Sequence, residues 1–100
     1  MPTSVRNNPE RHRYEVSVDG TVAGFAAYRT RPGIVIFTHT EIEPAYEGQG
    51  LGTKLARAAL DDVRANGLEL LPLCPFIAGY IERHPEYADL VVTPEEAQRR

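Results

Sequence analysis

No apolar run in this 100-residue chain approaches the roughly 20 residues that a helix needs to span a bilayer. A membrane protein of the helical kind is therefore not expected. The opening stretch MPTSVRNNPERHRYE lacks the apolar core of a secretory signal, so a cytoplasmic location is the expectation. Positive charge is not in excess: 11 Lys and Arg against 14 Asp and Glu leave a net charge of −3. Affinity for nucleic acid is dominated by cationic contacts to phosphate, so nucleic acid is not expected as a partner. A single cysteine, Cys74, excludes an internal disulfide framework. His12, His39 and His84 lie far apart and show no metal-ligand spacing such as HExxH, so no metal is expected. Internal repeats and low-complexity segments are also missing.

What remains is an ordinary globular composition, 42% hydrophobic and 25% charged, in a length that suits one small domain. Such a domain buries only roughly two-thirds of its unfolded surface, so its core is modest. The polar, proline-containing residues 1–11 suggest a loose N-terminal arm, residues 12–93 a single domain, and residues 94–100 a polar C-terminal tail. Tyr14, Val16 and Val18 alternate with polar residues at the period of a half-buried strand. Asp19-Gly20 then signals a hairpin, because a type I′ turn needs positive φ at both central positions. Val22 to Thr30 follows as a second strand rich in small residues, against which something packs closely or another subunit docks. After the Arg31-Pro32-Gly33 turn, Ile34 to Ile42 is the strongest strand. Strict alternation puts Ile34, Ile36, Thr38, Thr40 and Ile42 on one face, and Val35, Phe37, His39 and Glu41 on the other.

A helix is expected from about Gly50 to Asn66, with Leu51, Leu55, Ala59 and Val63 recurring every four residues. Asn66-Gly67 supplies its end. Leu68 to Leu73 reads as a short buried strand of the parallel type. A second helix follows Cys74-Pro75, proline being favoured in a first turn, and His84-Pro85 stops it. Leu90 to Val92 is expected to form a last strand, and the tail a frayed helical turn. The order is β-β-β-α-β-α-β, an α+β fold with a mixed, mostly antiparallel sheet.

The segment Glu41 to Lys54, EIEPAYEGQGLGTK, carries the chemistry. Glycines 48, 50 and 52 let the backbone approach a ligand just where a helix begins. A first helical turn has amide N–H groups without internal partners and a partial positive charge, so it suits a phosphate. The order Gly52-Thr53-Lys54 does not fit the ATP-binding phosphate loop. Gly-x-Gly-x-Gly after an antiparallel meander does not fit the dinucleotide fingerprint either.

Glu47-x-x-Gly50-x-Gly52 resembles the (Arg/Gln)-x-x-Gly-x-(Gly/Ala) motif of the GNAT superfamily of acyl-CoA N-acyltransferases, with Glu47 where Arg or Gln is usual. His39-Thr40-Glu41, the glycine loop, Pro72-Leu73-Cys74-Pro75-Phe76 and Glu82-Arg83-His84-Pro85-Glu86-Tyr87 together resemble its short, single-domain YjdJ-type branch. The likeness covers most of residues 12–92. It implies a GNAT-like sheet whose central strands splay apart around acetyl-CoA, the co-substrate. Backbone groups near Ile42 and Glu43 would then meet the pantetheine arm. Those of Gly48, Gln49, Gly50, Leu51, Gly52 and Thr53 would meet the pyrophosphate. The acceptor implied is an amine, on a small molecule or a protein lysine. The alternative is a module that binds CoA, acyl-CoA or a protein partner without turnover.

Acyl transfer needs a deprotonated amine, a polarised thioester carbonyl and a stabilised leaving thiolate. Cys74, between a buried strand and a helix N-terminus, is a candidate nucleophile or acid–base thiol, or else a small buried filler. His39 is a candidate general base, since histidine titrates near neutrality, or else a strand histidine satisfied by a nearby carboxylate. Tyr80 is expected in the core, and His84 at a helix end.

Overall fold

The computed structural model describes residues 2–99, so Met1 of the expected arm and Arg100 of the expected tail lie outside the described residues. Five strands form one sheet in the order β1 (Thr3–Asn8), β2 (Arg13–Val18), β3 (Thr21–Arg31), β4 (Ile34–Ile42) and β5 (Glu69–Pro72). The first four pair antiparallel, and β5 joins β4 in parallel. Helix α1 (Leu51–Ala65) makes the connection, and α2 (Pro75–Arg83) and α3 (Pro94–Gln98) follow β5. The architecture is α+β with a mixed, mostly antiparallel sheet.

Local chemistry explains the turns. Asp19 and Gly20 both have positive φ, 51° and 83°, as a type I′ hairpin requires. Helix α1 ends at Asn66, and Gly67 beyond it is left-handed at φ 67°. The stripe Leu51, Leu55, Ala59 and Val63 is buried, with Ala56 and Leu60 beside it. It packs on a sheet face formed by Tyr14, Val16, Ala26, Tyr28, Val35 and Phe37. Ile77, Tyr80 and Ile81 of α2 complete that main core. On the opposite face, Ile34, Leu71, Val92 and Ala97 form a second, smaller one.

Several expectations need correction. The N-terminal arm is not loose: Thr3–Asn8 adds an edge strand to β2, tied by Tyr28 Oη donating to Asn7 Oδ1 at 2.6 Å. Leu90 to Val92 is not a strand. Residues Pro85–Leu90 form a 3-10 turn, leaving a single parallel bridge between Val91 and Leu70. The tail is not merely polar, for α3 is closed by a Thr93–Glu96 capping box and buries Ala97. The alanine-rich β3 is not free for another subunit at Ala23 and Ala26, which lie in the core. Its close approach is internal: a Cβ on Gly24 would sit 2.5 Å from Ile42 Cδ1.

Strict alternation along β4 also fails. Ala27 pairs with His39 but Tyr28 with Phe37, so Thr38 is an extra, bulged residue. The bulge reverses the phase of the strand. Thr40 and Ile42 join Val35 and Phe37 on the main-core side. His39 and Glu41 turn to the other face, where His39 meets the Phe25 ring.

Candidate active site

A groove of about 380 Å³ opens between the end of β4 and the start of α1, lined by Ile42, Tyr46, Glu47, Gly48, Gly50, Leu51, Gly52, Thr53 and Phe76. Its floor is built by glycine geometry. Gly48 and Gly50 have φ of 83° and 73°, and Gly50 caps α1 in the left-handed conformation. The first hydrogen bond of the helix runs from Lys54 N–H to Gly50 C=O at 3.2 Å. Leu51, Gly52 and Thr53 therefore present their N–H groups at the positive end of the helix without an intrahelical acceptor. Such a floor suits an anion. The Glu47 carboxylate on the same wall opposes an anion there.

Next to the groove, β4 has an open edge. β5 leaves β4 at Phe37, whose carbonyl accepts both Leu73 N–H and Cys74 N–H at 3.0 Å each. Beyond that point β4 has β3 on one side only. Glu43 N–H donates to Ala23 C=O at 2.7 Å, and Glu43 C=O accepts Tyr46 N–H at 2.8 Å. Polar groups of alternate residues in an antiparallel strand share a direction, so Glu41 turns its own toward β3 as well. Thr40 and Ile42 turn theirs into the gap. Of the expected pair, Glu43 thus has both main-chain groups bonded within the chain, and Ile42 faces the gap. Thr40 takes the place of Glu43 beside Ile42.

Cys74 sits where the two strands part. It is the N-cap of α2, is 3% exposed, and its Sγ lies 3.2 Å from Thr40 Oγ1. His39 does not meet it. The bulge at Thr38 places His39 on the opposite face of β4, exposed, with Nε2 3.8 Å from Glu41 Oε1 and the Phe25 ring 6.0 Å away, centroid to centroid. Arg13 in turn stacks on Phe25 at 4.6 Å and bonds the buried Glu15 at 2.8 Å. Burial pushes the Glu15 carboxyl up, but the Arg13 and Asn8 hydrogen bonds outweigh it and hold the group below its ordinary range. Gln49 is exposed and does not line the groove, and Glu43 lines only the adjoining hollow with Glu41, Pro44 and Glu47. Tyr80 is 2% exposed and stacks on the His84 ring at 4.0 Å, while His84 Nδ1 bonds Tyr80 C=O at 2.9 Å. Tyr80 lies in the core and His84 at the C-terminal end of α2, as expected.

Sequence reasoning does not single out Tyr46, Thr40 or Phe76 as site residues. Tyr46 and Phe76 are aromatic residues flanking the glycine loop and Cys74, a signal the sequence does offer. Thr40 emerges only from the pairing of β4.

Residues 13–90 match the family model of the GCN5-related N-acetyl-transferases. Protein NATD1 of Mus musculus is 31% identical over 86 residues, covering 84% of this chain and 78% of its own. NATD1 of Homo sapiens is 31% identical, with 84% and 76% covered. A GCN5-like candidate N-acetyltransferase from Staphylococcus aureus shares the fold at a TM-score of 0.67 and 21% identity, over 89% of this chain and 87% of its own. The ribosomal-protein-S18-alanine N-acetyltransferase of Escherichia coli has a TM-score of 0.57 and 25% identity, over 63% of this chain and 42% of its own. The chain belongs to the family of GCN5-related N-acetyl-transferases.

Proposed function

We propose that this protein is an acyl-CoA-dependent N-acyltransferase that takes acetyl-CoA as donor and an amine as acceptor. The observation that carries it is continuity. Leu51, Gly52 and Thr53 line the groove together with Ile42, and two residues back along the free edge of β4 Thr40 meets Cys74. Pyrophosphate on the helix terminus and pantetheine amides on Thr40 and Ile42 would bring the thioester to the parting of β4 and β5. Membership of the family supports the donor, and neighbours named as N-acetyltransferases support the amine.

Two chemical routes fit. In the first, the Cys74 thiolate attacks the thioester carbon and the CoA thiolate leaves. The amine then attacks the acyl-cysteine, restoring the thiol. In the second, the amine attacks the thioester directly and Cys74 only shapes the site. In both, the attacking amine loses a proton. His39, exposed on the face of β4 away from Cys74, would serve as the base only for an acceptor that arrives on that face. Incubation with acetyl-CoA and a broad panel of amines should release free CoA, and a Gly50→Asp variant should release none. Release no greater than in that variant, across the panel, contradicts the enzyme reading.

Glu47 favours a second reading, a CoA-binding module without turnover, because a carboxylate on the groove wall opposes an anionic ligand. Calorimetric CoA binding without any transfer would select it.

A further inference from the structure

Phe76 lies in the first turn of α2, yet its ring is not in the core that takes Ile77, Tyr80 and Ile81. It is 38% exposed and lines the groove beside Ile42, Tyr46 and Leu51. An isolated exposed apolar side chain is common and means little. This one is seated. A Cβ built on Gly52 would lie 2.8 Å from Phe76 Cζ, so the ring rests on the bare Cα of the first turn of α1. Gly48 and Gly50 serve the backbone through positive φ. Gly52 does not have a positive φ, and what its missing side chain provides is room for Phe76.

The groove therefore has two unlike walls. Along β4 run the main-chain groups of Ile42 and, just beyond the groove, of Thr40, which can bond amides. Across from them lies a phenyl ring, which bonds nothing and repels water. A pantetheine arm has the same duality, two amides and a branched apolar pantoyl segment carrying geminal methyls. Adenosine offers a flat aromatic face but no aliphatic segment joined to amides, and phosphate groups offer neither. Resting on the acyl-CoA reading above, we propose that Phe76 is the residue by which the groove selects the pantetheine arm. Its ring packs on the pantoyl methyls while the edge of β4 takes the amides, and Gly52 sets the depth at which the ring lies.

The test measures binding of CoA, and of 4′-phosphopantetheine and adenosine 3′,5′-bisphosphate by competition, to the full chain. Compared are the wild type, Phe76→Ala, Phe76→Leu, Gly52→Ala and the Gly52→Ala/Phe76→Ala double variant, with thermal unfolding confirming that each is folded. Losing an apolar contact of this size should weaken CoA and 4′-phosphopantetheine about tenfold in Phe76→Ala. Adenosine 3′,5′-bisphosphate should bind unchanged. Phe76→Leu, which keeps an apolar side chain, should recover most of the loss. Gly52→Ala should weaken CoA where Phe76 is present and have little effect where it is absent. An equal loss for adenosine 3′,5′-bisphosphate, or additive effects of Gly52→Ala and Phe76→Ala, overturns the assignment. Wild-type CoA binding that Phe76→Ala leaves unaltered overturns the role of Phe76 alone. No CoA binding by the wild type overturns it together with the acyl-CoA reading.

Discussion

Cys74 Sγ and Thr40 Oγ1 stand 3.2 Å apart across the point where β4 and β5 separate. The contact joins the residue that caps α2 to the strand whose free edge forms the groove. If Cys74 carries the acyl group, acetyl-CoA should leave an acyl-cysteine visible as an intact-mass adduct, absent in Cys74→Ala. Thr40→Val keeps the shape of the side chain and removes its hydroxyl. It should slow adduct formation while leaving CoA affinity nearly unchanged, because the main-chain groups of Thr40 persist. Full transfer activity in Cys74→Ala would remove the thiol from the mechanism and leave direct attack.

Glu47 stands on the groove wall and on the wall of the adjoining hollow. It is exposed, so water and salt screen it. Removing an exposed like charge near a bound anion is worth about 0.2–1 kcal/mol by analogy with surface ion pairs. Glu47→Gln should therefore tighten CoA binding by roughly 1.5- to 5-fold at low ionic strength, with a smaller gain at high salt. Calorimetry at two salt concentrations measures both. An unchanged affinity at low salt would show that the carboxylate does not face the ligand's phosphates.

Gly50 caps α1 at φ 73°, where a side chain is strained although no atom lies within 4 Å of where its Cβ would stand. Gly50→Ala should thus cost stability through the backbone alone, about 1–2 kcal/mol. For a domain of this size each 1 kcal/mol lowers Tm by roughly 4–8 °C. CoA affinity should fall as well, since the capping conformation aims the first amides of the helix. Gly52→Ala provides the contrast, because it should spare the backbone and act only through Phe76. Equal Tm losses in the two variants would contradict this division.

The parts of the fold that were legible in the sequence are those fixed by local chemistry. Asp19-Gly20 and Asn66-Gly67 announce positive φ, and Asp19, Gly20 and Gly67 adopt it; of the loop glycines, Gly48 and Gly50 do and Gly52 does not. The period of Leu51, Leu55, Ala59 and Val63 marks a buried stripe that α1 does bury. What was not legible depends on pairing between distant segments. β1 has one apolar residue, Val5, among polar neighbours, and is a strand because β2 offers it an edge. Leu90 looks like a strand residue, but Arg64 of α1 bonds Asp89 and Glu86 C=O and holds that segment in a 3-10 turn. The site shows the same division. The glycine loop could be read directly. The bulge at Thr38, which separates His39 from Cys74 and frees Thr40, comes from how β3 and β4 register and leaves no mark in the order of residues.

Two neighbouring carboxylates on α1 hold two tyrosines from opposite ends of the chain. Tyr14 Oη of β2 donates to Asp62 at 2.6 Å, and Tyr87 Oη of the 3-10 turn donates to Asp61 at 2.5 Å. Burial, reinforced by the hydrogen bond to Asp62, raises the Tyr14 phenol above its ordinary value. Burial and the bond to Asp61 push Tyr87 from 10.0 up to about 12. The folded state thus holds both protons more tightly than the unfolded chain does. Their contribution to stability is complete below the unfolded value of 10.0 and is lost as pH climbs through the folded values. Denaturant unfolding at stepped pH should therefore show a decline that starts near pH 10 and steepens toward pH 12. Tyr87→Phe should cost about 1 kcal/mol at neutral pH, the usual worth of one such hydrogen bond. It should also flatten the alkaline decline, and Tyr14→Phe should do the same. The two effects should be close to additive if the helix serves as a rigid bar between them, and far from additive if loosening one end of α1 releases the other.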